Sequence, residues 1–297
     1  MSGPGTGREL YHALMAAGAA GRELEAWAAR ELPAYPVQLA PASSYRAFTG
    51  LSAVEQDALE TELYALSRVA DVLCLEFQPP YGGGPVRDGT RMGVGREEYL
   101  GFFARLGMAE VGAGGGFDPF LHEIAELVPA EDPDAPIELL DVLWPGLLLG
   151  ELLFTRAGVR VRAGARVAEP GWADRSPMYW AFRRRGRRPV DLSHGWGSNS
   201  QWRTGHRMDF RTADGDRWNV VRHAERVSDH CAGHHRLTPA EADELVRHRC
   251  LLRRPVGRPE LIADSRVAAD LWPYRWSLPE PAACAPGCGG HGAPADG

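Results

Sequence analysis

The chain has 297 residues, 44% of them hydrophobic and 24% charged, with a formal net charge of -6. That length suggests about two domains around a sizeable core, no window approaches the roughly 18 unbroken apolar residues of a membrane helix, and the acidic balance argues against general affinity for nucleic acid. Five scattered cysteines, Cys74, Cys231, Cys250, Cys284 and Cys288, do not resemble a secreted disulfide framework, and Arg8 and Glu9 stand where a secretory signal needs its apolar core, so reduced thiols and a cytoplasmic location are expected.

Along the chain, apolar positions at Leu10, Leu14, Leu24, Trp27 and Ala28, broken by "AAGAAG", predict one or two short helices over 8–31. "LPAYPVQLAPASS" reads as a connector. Ser52 and Glu55 have the spacing of a capping box and open a long helix. Within it Leu59, Leu63, Leu66, Ala70 and Leu73 step by four and three, a seam suited to an intramolecular core or to a second chain. "REEYLGFFARLG" predicts another helix, with Gly107 closing it and Tyr99, Leu100, Phe103 and Leu106 on one side, paired antiparallel with the first. The period then changes: "IELLDVLW", "ELLFT" and the alternating "GVRVRAG" predict a small β unit.

Past about residue 168 the chain turns dense in Trp, Arg, Gly and His, which suggests a second domain, with a strand at "RWNVVRH" and a helix opened by Thr238 and Pro239. The tail from 276 is Pro, Gly and Ala rich and is expected to be disordered. The arginine run "FRRRGRR" reads as a solvated segment.

Chemistry is suggested first by "GFDPFLHEIAELV", where His122, Glu123 and Glu126 fall among apolar residues. On a helix His122 and Glu126 would share a face, but the second histidine of the zinc-protease motif is missing, so no metal is expected there. "DHCAGHH" gathers His230, Cys231, His234 and His235, which could bind zinc but lack a partner pair at the usual spacing. Neither a nucleophile elbow nor a phosphate-cradling loop is present. An enzyme is therefore not expected, and no cofactor.

Read as a unit, residues 90–163 resemble GrpE, the nucleotide exchange factor of DnaK-type chaperones. The resemblance rests on a helix with a Gly plus apolar end, on Phe117, Asp118, Pro119, His122 and Glu123 in the pattern Phe-Asp-Pro-x-x-His-Glu, and on Gly146, Leu149, Ala157, Val159 and Val161 in family order. It implies an α+β fold with a helical dimerisation or bundle region (52–115) and a β-wing (116–167); the parts it does not reach are an N-terminal region (1–51), a C-terminal α+β extension (168–275) and a tail (276–297). It also implies a noncatalytic homodimer gripping the chaperone's nucleotide-binding domain through Phe117, Pro119, His122, Glu123, Gly146, Leu149, Leu152, Arg156, Val159 and Val161, with Leu59, Leu63, Leu66 and Leu73 dimerising. The chain departs from the family at Leu152, where an Arg facing the chaperone is usual, and at Thr155, with Arg156 one residue over. A strand slip of one residue reverses the face. Two other readings are a metal-binding protein or hydrolase centred on 194–250 and a GrpE-like scaffold without exchange activity.

Overall fold

The computed structural model describes residues 6–76, 92–111, 114–175, 205–220, 225–226, 238–254 and 276–277. The fold is mixed α+β: N-terminal helices, two small sheets and a short C-terminal helix. No helix among the described residues is long and apolar enough to cross a membrane.

α1 (Gly7–Ala17) and α2 (Gly21–Glu31) are separated by Gly18, whose φ of 65° is the left-handed position that ends many helices. The stretch expected to be a connector instead holds α3 (Tyr35–Leu39) and a 3-10 turn (Ala40–Ser43), and α4 (Tyr45–Thr49) follows it directly. Pro36 and Pro41 fall in first turns, where a missing N–H breaks no helical bond, so the prolines start these elements.

α5 (Ala53–Cys74) opens with the expected capping box between Ser52 and Glu55. Leu59, Leu63, Leu66, Ala70 and Leu73 are buried in the chain's own core, together with Leu10, Tyr11 and Leu14 of α1. The dimerisation reading of this seam is thereby corrected, because α1 lies along α5 and covers it. Close approach is enforced by Gly7, where a Cβ would come within 2.9 Å of the Leu66 backbone nitrogen. The Gly7 N–H donates to Glu62 Oε1 at 2.5 Å, and the Tyr35 hydroxyl donates to the same oxygen. α6 (Arg96–Arg105) buries Tyr99, Phe102 and Phe103 in that core and ends at Gly107, with φ 85°.

β1 (Ala109–Glu110) is followed by β2 (His122–Pro129), β3 (Glu138–Trp144), β4 (Leu147–Leu149), β5 (Leu152–Thr155) and β6 (Ala157–Ala163). β6 is the middle of a three-stranded sheet, parallel to β2 and antiparallel to β3. Val159 and Val161 point into the core, while Arg160 and Arg162 lie on the outer face and pair with Glu126 at 2.7 Å and Glu138 at 3.0 Å. "HEIAELV" is thus a strand and not a helix. With His122, Glu123 and Glu126 interrupting its apolar residues, the stretch has no decisive period, and pairing with β6 decides it.

The second sheet has the order β1-β4-β5-β7-β8, with β7 (Phe210–Thr212) and β8 (Gly215–Arg217) drawn from beyond residue 168. Leu152 pairs with Phe210, the Leu153 N–H donates to the Asp209 carbonyl at 2.8 Å, and the Arg211 N–H donates to the Glu151 carbonyl at 2.8 Å. At the N-terminal side, the Glu151 N–H donates to the Ser43 carbonyl at 2.8 Å. The boundaries expected near 51 and 168 are corrected accordingly: one core runs from Leu10 to Phe210 through helices and strands alike. The strand expected at "RWNVVRH" lies earlier, at Gly215–Arg217. α7 (Pro239–His248) starts as expected, with a capping box between Thr238 and Glu241 and Pro239 in the first turn. β9 (Glu225–Arg226) and β10 (Trp276–Ser277) form a short parallel pair, so the segment expected to be disordered from 276 begins in a strand. "FRRRGRR", the His230 to His235 group, Cys231, Cys284 and Cys288 lie outside the described residues.

Leu63→Ala should cost about 2–5 kcal/mol, the usual range for a large-to-small change at a fully buried site. Urea unfolding is expected to show an equal loss over a hundredfold range of protein concentration; a loss that vanishes at high concentration would instead place Leu63 between subunits.

Candidate functional site

The "FDPFLHE" stretch folds into a tight knot ahead of β2. Asp118 Oδ1 accepts the Phe120 N–H at 2.9 Å, its carbonyl accepts the His122 N–H at 2.8 Å, and its own N–H donates to His122 Nδ1 at 3.0 Å. Pro119, with φ preset for a turn, sits between these bonds. His122 therefore does hydrogen-bond the junction backbone, with Nδ1 as acceptor and the proton on Nε2. Burial lowers its pKa, and the nearby Arg156 and Arg211 add to this against the opposing pull of Asp118. Phe117 lies parallel to the His248 ring, 5° between planes and 6.1 Å between centroids.

Arg211 of β7 clamps the knot to the second sheet. Its guanidinium donates to Asp118 Oδ2 at 2.6 Å and to both carboxylate oxygens of Asp216, at 2.7 and 2.8 Å, and covers the Phe120 ring at 4.5 Å. Burial alone would raise Asp118; the Arg211 bond and the Phe120 N–H hold it below the ordinary range.

Behind the knot lies a buried ionic cluster that the sequence reading did not include. Asp209, with no exposed surface, accepts from Arg207 Nε at 2.8 Å, from Arg249 at 2.7 Å and from the Asn219 N–H at 2.6 Å. Burial works against its charge, but the three surrounding guanidiniums, Arg207, Arg249 and Arg156, hold it well below the usual carboxylate range. Arg207 also donates to the Val246 carbonyl at 2.7 Å, and Arg156 donates to the carbonyls of Arg247 at 2.7 Å and His248 at 3.3 Å. Two arginines from the β part thus cap the C-terminal carbonyls of α7, which no intrahelical N–H can reach. The spacing Arg207, Asp209, Arg211 was a signal for this cluster, since alternate residues of an extended segment share a face.

Glu123 is buried on the opposite side of β2 from His122. Burial pushes its carboxyl well above the ordinary range, against the pull of Arg156 and Arg249, and it hydrogen-bonds the Trp144 side chain. Trp144 lies flat on Gly158, where a Cβ would come within 2.0 Å of the indole, so only glycine fits beneath it.

The residues expected to grip a partner are mostly interior. His122, Glu123, Leu149, Leu152, Arg156, Val159 and Val161 are buried, and Gly146 is pressed against the Ala157 backbone, 2.4 Å from a would-be Cβ. Phe117 and Pro119 are half-buried. The expectation that Leu152 occupies a partner-facing surface is corrected: its side chain is fully buried and β7 pairs with β5 over it. An arginine there would place an unpaired charge in the core. Chemically, the carboxylates and guanidiniums of the site are engaged with one another or with main chain, and burial pushes the Cys250 thiol up, away from the thiolate a nucleophile needs. Among the described residues no group of three or more His, Cys, Asp or Glu is placed to hold a metal ion.

No protein-family model, no curated protein and no solved structure matches the chain.

Asp209→Asn should cost about 3–5 kcal/mol at neutral pH, because removing the carboxylate leaves buried guanidiniums uncompensated; a variant as stable as the parent in urea would show the cluster to be dispensable. His248 titrates at about 3 because burial, then Arg156 and Arg247, disfavour its cation. A depressed histidine stabilises the fold above its ordinary pKa of about 6.5, and that contribution is lost as pH falls toward the folded value. His248→Phe should flatten the fall in stability between pH 6.5 and 4, measured as melting temperature against pH.

Proposed function

We propose that this chain is a GrpE-like, noncatalytic cochaperone of the cytoplasm, which binds the ATPase domain of a DnaK-type chaperone and promotes ADP release. The reading is supported chiefly by residues 90–163, which carry the resemblance and whose strands enter both sheets. Among them Asp118 and His122 lock the entry to β2, Gly146 and Gly158 allow close packing, and Val159 and Val161 fill the middle strand. These residues build the frame of a binding surface; they do not themselves touch the partner.

The partner-facing surface in this proposal is the outer face of the β2-β6-β3 sheet. It carries Glu126, Arg160 and Asp141 in one row and Arg162 and Glu138 in the next, all accessible on rigid strands. Exposed charge pairs contribute little to stability, so this face can exchange its internal partners for those of another protein at small cost. Release of nucleotide then follows from binding the chaperone's open conformation better than its closed one, and cannot exceed that difference in affinity. The homodimer that the resemblance implies remains part of the proposal, with its interface outside the covered Leu59 to Leu73 seam.

The test is stopped-flow release of fluorescent ADP from a DnaK-type chaperone of the same organism. The protein should accelerate release, and Arg160→Glu should weaken the effect at least tenfold while leaving the melting temperature within a few degrees. No acceleration with any such chaperone overturns the proposal, and binding without acceleration would favour a scaffold.

A further inference from the structure

α5 carries on its outer side a carboxylate that the ionic cluster does not use. Glu60 is partly buried beneath the segment that leads into β7: a Cβ on Gly205 would lie 2.8 Å from Glu60 Oε2, and the His206 N–H donates to the Glu60 carbonyl at 2.9 Å. The Gly205–His206 strap therefore rests directly on this side chain, and the absence of a side chain at 205 is what permits it. From His206 the chain runs through Arg207 and Asp209 in the buried cluster directly into β7, which pairs with β5.

We propose that Glu60 and the Gly205–His206 strap form a pH-sensitive clasp, closed while the Glu60 carboxyl is protonated and loosened when it ionises beneath the strap. No cation is placed to relieve that charge among the described residues that pack there. On α5 itself Asp57, one turn earlier, adds a second negative charge. In the strap, the His206 imidazole is turned to the Phe154 ring at 5.4 Å and is hydrogen-bonded to the Leu153 main chain; burial, with Arg249, keeps it neutral down to about pH 4. Arg207 is committed to Asp209 and to the Val246 carbonyl, and β5 offers Leu153 and Phe154. Burial first, and Asp57 second, accordingly raise Glu60 to about 7. The sign follows: a carboxyl raised in the closed form favours closure below its ordinary value, and that contribution is lost as pH rises through the closed-form value. The clasp thus opens over the range from about pH 4.5 to 7 and is fully weakened above neutrality.

The inference stands apart from the chaperone reading and does not need it. It is tested by hydrogen exchange of the full chain, followed by mass spectrometry on peptides spanning 205–212 and corrected for the intrinsic rate, with a β6 peptide as control. Protection of 205–212 should fall by up to about tenfold between pH 6 and 8, the ratio that a shift from about 4.5 to about 7 produces. The β6 peptide should hold, and Glu60→Gln should remove the slope. Protection that does not change with pH, a slope that persists in Glu60→Gln, or an equal fall in the β6 peptide each overturns the clasp.

Discussion

The fold depends on how the C-terminal end of α7 is closed. A helix leaves its last carbonyls without intrahelical donors, and the frequent remedy is a glycine in the left-handed position that turns the backbone onto them. Here that position is Arg249, at φ 58°, and the carbonyls of Val246, Arg247 and His248 are taken by Arg207 and Arg156. Each such charge-assisted bond contributes about 1.5–3 kcal/mol when buried and satisfied. The result is that α7, the β5–β6 connection and the segment before β7 are fastened at one place, with Asp209 between the three guanidiniums. Charge is only partly balanced there: three guanidiniums meet about half a negative charge from the helix end and the full charge of Asp209, with the buried Glu123 carboxyl beside Arg156. A cluster of this kind is costly to assemble and more costly to break, which favours a single arrangement of the elements meeting there.

The same geometry explains why the second sheet ignores the change in composition at residue 168. β4 and β5 alone would leave an open edge, with unpaired N–H and C=O groups inviting another strand. β7 occupies that edge, and Asp209, one residue before it, is pinned by the cluster. Glu169, just past the boundary, is tied to the segment after α7: its N–H donates to the Leu252 carbonyl at 2.9 Å and its carboxylate receives Arg254 at 2.7 Å. Composition reports solvent exposure and local bias, whereas these contacts join residues 40 to 90 positions apart. Nothing in a local window distinguishes a separate domain from strands returning to an earlier sheet.

What could be read locally was read well. The capping box at Ser52 bonds as its spacing requires, and the helix expected from Thr238 and Pro239 opens there, because a helix start involves only a few consecutive residues. The glycine after α6 and the strands at β3, β5 and β6 follow from backbone freedom and alternation. The failures share a cause. α3 and the 3-10 turn hide in a Pro-rich stretch because proline is permitted in a first turn, and β2 is ambiguous because its first four residues are buried on both faces. The Leu59 to Leu73 seam shows the limit most plainly: its period states that something covers it, and only the position of α1 states what.

For the site, the sequence located the knot but not its role. Phe117, Asp118, Pro119 and His122 do act together, yet through backbone bonds and ring packing, with Arg211 and His248 supplied from more than 90 positions away. Leu152 is the sharpest case. Compared with the exchange-factor pattern it looks like the loss of a contact residue; in the fold it is a buried rung of the sheet, opposite Phe210. An arginine suits a wing whose β5 face is open, and a leucine suits one that the chain itself has covered. Leu152 lies in the core, where an apolar side chain is required, and Arg156 is turned inward to the end of α7. On the other sheet the arginines turn the opposite way: Arg160 and Arg162 remain outside, paired with Glu126 and Glu138.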